Sequence, residues 1–327
     1  MPCFHPLSAW QSYPGDILKF SDAPKGSYSF EVGCFQCIGC RLDRSRDWAT
    51  RIALEVATST SAYFVTLTYN DEGLPIVRAT LDNPLVDLKT GELFTGNTTW
   101  YPDVQKFIKD LRRYQKHHYD IDNIRFYCVC EYGSKGLRPH YHLAIFNAFL
   151  PDDDLTFHSR NALSQPIYES QFFSKIWRHG FSSVGELNWS SAAYMARYIT
   201  KKQLGKDAVH AYNALNIKPE ASYMSRMPGI GFDFYNANKA HIYASDEVIV
   251  NSFNGSRALP PPAYYDKLYT EDNPIDMFLI KQHRLYTANF AEDLKLTYTS
   301  LFPREQLIVD ERLLEKRVTS LIRNIEI

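Results

Sequence analysis

The chain has 327 residues, of which 45% are hydrophobic, and a formal net charge of −1. This composition supports a large packed core and excludes global disorder, and the balanced charge excludes a protein that coats nucleic acid through bulk positive charge. The sequence contains neither an apolar run long enough to span a bilayer nor a signal-peptide pattern, so we expect a soluble, cytoplasmic protein that does not bind membranes.

Helices and strands alternate along the first two thirds of the chain. The fourfold spacing of Trp48, Ile52 and Val56 is typical of a helix, and the β-branched, aromatic stretch 61–70 is typical of a strand. Between residues 71 and 100 we expect a long polar excursion with a small hairpin at 87–94. In chain order we predict a helix at 43–58, a strand at 61–70, a helix at 102–118, strands at 124–132 and 140–146, a helix near 170–178, a strand at 180–187 and a helix at about 190–203, which Ser190 or Ser191 can cap.

This order of elements predicts an α+β fold in which a mostly antiparallel central sheet has helices on one face. We divide the chain into an irregular, cysteine-containing segment (1–40), a core (41–205) and a partly helical C-terminal extension (206–327). The last predicted helix, at about 304–325, has an apolar stripe that either packs on its own chain or mediates a dimer. The stripe consists of Leu307, Leu314, Val318, Leu321 and Ile325.

Three side chains that can bind a metal ion fall on the two paired strands. His140 and His142 alternate with Tyr141 and therefore point to the same face, and Glu131 lies near the end of the preceding strand. Imidazole and carboxylate ligands suit Mn²⁺ or Zn²⁺ and tolerate Mg²⁺ if water completes the shell. Taken alone, the motif is equally compatible with two half-buried histidines and a surface glutamate.

The helix at 190–203 has two tyrosines one turn apart. Tyr194 and Tyr198 share a helix face, and Lys201 and Lys202 follow one turn later. A tyrosine hydroxyl has a pKa near 10 and becomes a useful nucleophile only when cations stabilise its anion, which these lysines can do. The alternative is a pair of core tyrosines followed by a basic last turn that the helix dipole favours.

Cysteines near the N-terminus have the spacing of a metal site. A tetrahedral zinc ion needs four ligands, and a C-x₂-C-x₂-C run with two upstream residues offers five candidates. The alternatives are reduced thiols, another metal or a disulfide. The candidates are Cys3, His5, Cys34, Cys37 and Cys40. Cys128 and Cys130 share a strand face, and we interpret them as packing residues.

Three motifs follow one another in the chain: the strand FVTLTY (64–69), the strand pair with Glu131, His140 and His142, and the helix with Tyr194 and Tyr198. In this order they resemble the HUH endonucleases that initiate rolling-circle replication, especially the replication initiators of the gokushovirus branch of the Microviridae. The resemblance covers most of the chain and implies an HUH core with a ferredoxin- or RRM-like sheet. It is carried by FQCIGCRLDRSRDWA (35–49), FVTLTYNDEGLP (64–75), EYGSKGLRPHYHLAIF (131–146), SSAAYMARYITKK (190–202), MSRMPGIG (224–231) and PPAYYDKLY (261–269).

The resemblance implies that Glu131, His140 and His142 hold a divalent cation, Mn²⁺ or Mg²⁺, that polarises the scissile phosphate. It also implies that Tyr194 and Tyr198 are paired nucleophiles. One would form a 5′-phosphotyrosine and release a 3′-hydroxyl that primes a polymerase, and the other would cut the regenerated origin after one round.

The resemblance extends to residues around the tyrosines. Relatives often have Lys before the second Tyr, where this chain has Arg197, which can clamp a phosphate but not shuttle a proton. The general-acid role is then left to Lys201, Lys202 or metal-bound water. We expect Arg197, Arg138 and Lys206 to contact DNA. Thr66 and Thr68 share a face of the first strand and either support the site or DNA, or pack within the sheet.

We therefore expect an enzyme that nicks and transfers single-stranded DNA at a phage replication origin in the cytoplasm of a bacterial host. Two alternatives are a relaxase- or transposase-type strand transferase and a non-enzymatic, zinc-stabilised nucleic-acid-binding protein. The sequence has no G-x-x-x-x-G-K-[ST] phosphate loop, so we expect a host helicase and a host DNA polymerase as partners. The oligomeric state is not predicted.

Overall fold

The computed structural model describes residues 3–12, 19–76, 97–133, 136–161, 164–201, 210, 212–252 and 255–322, without the side chains of 198–201, 252 and 319–322. The chain divides into two compact units. The first unit is Met1–Arg44 with Asn273–Glu326, and the second unit is Ser45–Asp272 with Ile327.

The described strands are, in chain order, β1 (Leu7–Gln11), β2 (Tyr28–Val32), β3 (Ala62–Tyr69), β4 (Arg125–Tyr132), β5 (Pro139–Phe146), β6 (Leu155–Arg160), β7 (Pro166–Ser170), β8 (Gly180–Glu186), β9 (Ser222–Met224), β10 (Val248–Ser252) and β11 (Gly255–Leu259). The described α-helices are α1 (Ile38–Val56), α2 (Tyr101–Tyr119), α3 (Gln171–Ile176), α4 (Trp189–Lys201), α5 (Phe232–Ser245), α6 (Ala263–Asp272), α7 (Pro274–Leu296) and α8 (Pro303–Ile322).

The centre of the second unit is a sheet with strand order β6-β7-β8-β3-β5-β4-β9, in which all described pairings are antiparallel. Its inner four strands have the order β8-β3-β5-β4, and α2 and α3 connect them as crossovers. This is the arrangement of a ferredoxin-like β-α-β-β-α-β unit. The structure confirms the predicted α+β fold with a mostly antiparallel sheet.

The two faces of this sheet have separate cores. On one face, Phe107 of α2 and Phe173 of α3 pack with Leu67 and Tyr141. On the other face, Ile52 of α1 and Met195 of α4 pack against Tyr127 of β4 and Ala144 of β5. The crossovers α2 and α3 cover one face of the sheet, as predicted. The helices α1 and α4 cover the opposite face, which was not predicted.

Two of the sequence stretches that carry the resemblance, 224–231 and 261–269, meet in the structure around a buried ion pair. Arg125 pairs with Glu55, and the second oxygen of Glu55 accepts a hydrogen bond of 2.6 Å from the Gly231 backbone N–H. Arg125 also donates to the Gly229 carbonyl (2.9 Å), and the Tyr265 hydroxyl donates to the Gly231 carbonyl (2.6 Å). Gly231 has φ +83°, and a Cβ there would lie 2.8 Å from the Tyr265 hydroxyl. The loop is therefore fixed by its contacts, and only glycine fits at Gly231.

In the first unit, a two-stranded antiparallel ribbon, β1 with β2, lies within the stretch predicted to be irregular. Leu307, Leu314 and Val318 of α8 pack with Phe4 and with cysteines of the N-terminal segment. The described part of the predicted stripe thus packs on its own chain, which is the first of the two alternatives that the sequence left open. Of the other predicted stripe residues, the side chain of Leu321 and all of Ile325 lie outside the described part of the chain.

The sequence did not predict five of the described strands, namely β6, β7, β9, β10 and β11. The hairpin β6–β7 extends the sheet at one edge, and the three-residue β9 pairs with β4 at the other. The hairpin predicted at 87–94 lies outside the described residues. Among the helices that the structure describes, none combines the length and the apolar character that crossing a membrane requires.

Candidate metal centre and nucleophile helix

The register of β3, β4 and β5 brings the predicted metal ligands together. Glu131 of β4 lies directly opposite His140 of β5, and His142 follows on the same face. The His140 Nε2 atom lies 2.5 Å from Glu131 Oε1, and His142 Nε2 lies 3.7 Å from the same oxygen. One potential ligand atom from each of the three residues lies within 4.8 Å of the others. Ligands at 2.0–2.2 Å from one ion are about 3 Å apart when adjacent, so this spacing suits a single cation.

The far nitrogens of both imidazoles have partners that orient the rings. His140 Nδ1 donates to the Arg138 carbonyl (3.2 Å), and His142 Nδ1 lies 3.0 Å from the Thr66 hydroxyl. A neutral His140 with its proton on Nδ1 points the Nε2 lone pair at a Glu131 oxygen, which is repulsive. The contact becomes attractive when a proton or a metal ion lies between the two atoms. The donor set therefore fits a divalent cation.

The charge of Glu131 agrees with that role. Burial opposes ionisation of its carboxyl, but the hydrogen bonds and charges of His140 and His142 outweigh burial and lower the pKa of Glu131 to about 2. The carboxylate is therefore anionic at neutral pH and available as an oxygen ligand. Together with two imidazoles it forms a mixed nitrogen–oxygen site suited to Mn²⁺, Mg²⁺ or a similar ion.

We expect Thr66→Val to weaken the affinity for Mn²⁺ by about 10- to 100-fold, because loss of the hydroxyl frees the His142 ring to rotate. Thr68→Val is the matched control, since Thr68 lies on the same face of β3, opposite His140. Calorimetric titration of both variants with Mn²⁺ measures the difference. Equal losses in the two variants would contradict an orienting role for Thr66.

The helix α4 carries the first predicted nucleophile to this centre. Its start is capped by Asn188, whose side-chain oxygen accepts from the backbone N–H groups of Ser190 (2.9 Å) and Ser191 (3.1 Å), while the Ser191 hydroxyl accepts from the Asn188 N–H (2.8 Å). This reciprocal arrangement is a capping box, so the cap is Asn188 rather than the predicted serines. The asparagine three residues before Ser191 was the signal that the sequence offered.

Tyr194 projects from α4 toward His142. The two ring centroids lie 5.6 Å apart at an interplanar angle of 74°. The His142 ring also stacks on Phe64 at 5.5 Å, and Phe64 contacts Tyr194 edge-on at 6.1 Å. The half-buried Tyr194 ring is thus held by two aromatic neighbours, one of which is a candidate metal ligand.

The other predicted catalytic and DNA-binding residues are described to different extents. Tyr198 and Lys201 belong to α4, but their side chains lie outside the described part, as do the whole of Lys202 and Lys206. Arg197 is half-buried on α4. Arg138 donates to the Tyr69 carbonyl (2.8 Å) and pairs with Asp71, so its guanidinium supports the end of β3 as well as being available to solvent.

A second candidate metal site consists of four cysteines of the first unit. The sulfur atoms of Cys3, Cys34, Cys37 and Cys40 lie within 4.8 Å of one another, and those of Cys3 and Cys37 are 3.9 Å apart. Four thiolates at about 2.3 Å from a tetrahedral zinc ion are about 3.8 Å apart, so the cluster fits zinc. The fifth candidate is not among them, because the His5 ring pairs with Glu311 at 2.7 Å.

Backbone groups favour ionised sulfur in this cluster. Burial opposes ionisation of Cys37, but hydrogen bonds from the backbone of Cys40 and Phe4 and from neighbouring thiols outweigh it and lower the pKa of Cys37 to about 7. Burial raises the pKa of Cys3 and of Cys40, so a cation is needed for these two thiols to ionise beside Cys37. Cys128 and Cys130 lie in the buried core of the sheet, in agreement with their interpretation as packing residues.

We expect the purified protein to contain one zinc ion per chain and Cys40→Ser to lose it, because three thiolates leave the tetrahedral shell incomplete. Elemental analysis after dialysis measures the content and distinguishes zinc from iron. His5→Ala is the control and should retain the metal, since His5 pairs with Glu311. Wild-type protein without metal but with four reactive thiols would contradict the assignment.

Known proteins are similar to this chain over the residues that form the candidate metal centre and α4. A family model described as "Replication-associated protein ORF2/G2P" matches residues 62–203, which run from β3 through α4. The chain is 34% identical over 299 residues to "Replication-associated protein ORF2" of Spiroplasma virus 4, covering 87% of this chain and 86% of that protein. It is 32% identical over 279 residues to "Replication-associated protein VP4" of Bdellovibrio phage phiMH2K, covering 84% and 79%.

A third relative is "Replication-associated protein ORF4" of Chlamydia phage 1, 25% identical over 257 residues that cover 76% of this chain and 57% of that protein. No solved structure matches the chain. The first two alignments are long enough to include both the metal centre and the nucleophile helix. The chain therefore belongs to the family of phage replication-associated proteins.

Proposed function

We propose that this protein nicks single-stranded DNA at the phage replication origin and transfers the strand, thereby initiating and terminating rolling-circle replication. The observation that carries the proposal is the contact between Tyr194 and His142. The Tyr194 phenol lies beside the His142 ring, and the Nε2 atoms of His142 and His140 both lie near the same oxygen of Glu131. One phosphate can therefore reach both the nucleophile and the cation site.

A divalent cation bound by Glu131, His140 and His142 would polarise the scissile phosphate and offset the charge that develops on it. The Tyr194 hydroxyl oxygen attacks phosphorus and loses its proton, and the bond from phosphorus to the 3′ oxygen breaks. The 5′ phosphate is then attached to Tyr194, and the departing oxygen takes up a proton to become a 3′-hydroxyl. The energy of the phosphodiester is retained in the phosphotyrosine, so the strand can be rejoined without ATP.

The second tyrosine serves the end of the cycle. Tyr198 lies one helical turn after Tyr194 on α4, so both can face the same centre. When one round has regenerated the origin, the free tyrosine cuts it, and the released 3′-hydroxyl attacks the first phosphotyrosine. This closes a circle and leaves the protein attached to the new strand. We propose a host helicase and a host polymerase as partners that unwind and copy the template.

The test is to trap the covalent intermediate on DNA of randomised sequence, so that the origin need not be specified. A pool of randomised single-stranded oligonucleotides is incubated with the protein and Mn²⁺ or Mg²⁺, and complexes that survive denaturing electrophoresis are collected. Sequencing of the attached DNA gives the recognition site, and mass spectrometry of the digested protein gives the attached residue. We expect a 5′-linked adduct on Tyr194 that requires metal.

The same experiment separates the proposal from the alternatives. A protein that only binds nucleic acid would shift the oligonucleotides on a native gel and leave nothing attached after denaturation. Adducts on residues outside α4 would show that the strand-transfer chemistry occurs at another site, and the proposed roles of Tyr194 and Tyr198 would then be wrong.

A further inference from the structure

Phe181 is a large aromatic side chain that the second unit leaves in solvent, with 70% of its surface exposed. A single exposed apolar residue is common on soluble proteins and carries no functional meaning by itself. Phe181 differs from other exposed aromatics because of its position in the sheet, which relates it directly to the metal centre.

The strand register places Phe181 in one row with the metal ligands. Glu131 pairs with His140, His140 with Thr68, and Thr68 with Phe181, across β4, β5, β3 and β8. Side chains of directly paired residues point to the same face of a sheet, so all four share the face that carries the candidate active site. Neighbouring strands lie about 4.8 Å apart, which puts the Phe181 backbone about 10 Å from that of His140.

The backbone that carries Phe181 is held rigidly against β3. The Trp177 indole N–H donates to the Thr68 carbonyl (3.1 Å), and the Asn70 N–H donates to the His179 carbonyl (2.8 Å). At Gly180 a Cβ would lie 2.3 Å from both the Asn70 nitrogen and the Thr68 oxygen, so only glycine permits this close approach. The exposed ring is therefore presented from a fixed point, which lowers the entropy cost of binding a flat ligand.

The surface between Phe181 and His140 is formed by side chains that are small and polar. Thr68 lies between them in the row, and Thr66 and Ser183 form the next positions on the same face, all three half-buried. The helix α4 contacts β4 and β5, and its Tyr194 reaches Phe64 of β3, which lies four residues along that strand from Thr68, the partner of Phe181. A flat group that enters from the β8 side can therefore lie on Phe181 while the atoms attached to it reach the metal centre.

We propose that Phe181 is a stacking platform for a base of single-stranded DNA next to the scissile phosphate. The inference rests on the proposed function, since it needs a nucleic-acid strand at the Glu131–His140–His142 centre. Every base has a flat face, so the platform holds the strand in position without selecting a sequence. The strand would run along the row from β8 toward β5, with the stacked base on Phe181 and the adjacent phosphate at the cation site.

The test compares binding of two fluorescent probes in EDTA, so that no strand is cut. One probe is a dodecamer of thymidine nucleotides, and the other is an abasic oligomer of the same length and charge. We expect Phe181→Ala to weaken binding of the thymidine probe by about tenfold and to leave binding of the abasic probe unchanged, because the variant removes stacking only. Phe181→Trp should retain or strengthen binding of the thymidine probe.

Phe157→Ala is the matched control. Phe157 is 56% exposed on β6 but points to the opposite face, since it pairs with Tyr168, which pairs with the core residue Val184. It should bind both probes like the wild type. Equal binding of the thymidine probe by Phe181→Ala and wild type, an equal loss for both probes, or no binding of that probe by the wild type would each overturn the proposal.

The outcome is separable from that of the nicking experiment. If the wild type forms the covalent adduct and Phe181→Ala binds the thymidine probe normally, the function stands and the platform is wrong. If the probe difference is found but no adduct forms, the stacking site stands and the strand-transfer function is wrong.

Discussion

Tyr194→Phe should reduce covalent attachment of DNA by more than about 1000-fold, because it removes the attacking oxygen. The ring remains, so its packing against His142 and Phe64 is retained and the thermal unfolding temperature should not change. The measurement is the rate of formation of denaturation-resistant complex with the oligonucleotide selected from the randomised pool. Thermal melting of the same preparations verifies that the variant is folded.

Comparison with Tyr198→Phe assigns the order of the two tyrosines. We propose Tyr194 as the initiating nucleophile because, among the tyrosine side chains that the structure describes on α4, it lies against His142. We therefore expect Tyr198→Phe to keep the first attachment and to lose transfer to a second origin. Tyr168→Phe on β7 is a control for loss of a tyrosine hydroxyl elsewhere in the sheet and should behave like the wild type. The reverse pattern, in which only Tyr198→Phe prevents the first attachment, would contradict Tyr194 as the initiating nucleophile.

The local parts of this site could be predicted from the sequence because they depend on short periods. The alternation of His140 and His142 along a strand and the four-residue spacing of Tyr194 and Tyr198 follow from backbone geometry alone. The pairing of Glu131 with His140 could be anticipated because one short connection joins β4 to β5. These three relations account for most of the candidate metal centre and nucleophile helix.

The contacts that could not be predicted join residues far apart in sequence. β9 has three residues and no recognisable pattern, and it exists because it pairs with β4 about a hundred positions earlier. The hairpin β6–β7 is half exposed and lacks clean alternation, as is common at sheet edges. The exposure of Phe181 likewise depends on which helices cover which strands, and no local pattern of the sequence contains that information.

The same limit applies to the choice among chemically similar side chains. His5 and Cys3 were equal candidates for the fourth zinc ligand, and only the fold shows that Cys3 joins the cluster while His5 pairs with Glu311. Support of the site by Thr66 was one of several alternatives in the sequence, and the register shows that Thr66 lies opposite His142. Sequence patterns thus supplied the candidate residues, and the tertiary contacts determined which of them meet.

Glu131→Gln should separate a metal site from a structural ion pair, because only a metal site makes the stability depend on Mn²⁺. The Glu131 carboxylate lies 2.5 Å from His140 Nε2, and the two histidines lower its pKa to about 2. The ionised carboxylate therefore stabilises the folded state at neutral pH, and the variant should melt at a lower temperature than the wild type in EDTA. If the carboxylate serves only as a structural partner of the histidines, Mn²⁺ should leave both melting temperatures unchanged.

With Mn²⁺ the difference in melting temperature between the wild type and the variant should increase. A ligand that binds only the folded state stabilises it by about 2.7 kcal/mol at a concentration of 100 times its Kd, so the wild type should melt at a higher temperature than in EDTA. Glu131→Gln loses a charged ligand, and we expect its Mn²⁺ affinity to fall by more than about 100-fold, with DNA attachment lost at low Mn²⁺ and partly restored at high Mn²⁺. Glu169→Gln is the control, because Glu169 pairs with His158 at 3.0 Å on the exposed β6–β7 hairpin of the same sheet. If the wild type and Glu131→Gln respond alike to Mn²⁺, these three residues do not form the metal site, and the phosphate at Tyr194 must be activated by other groups.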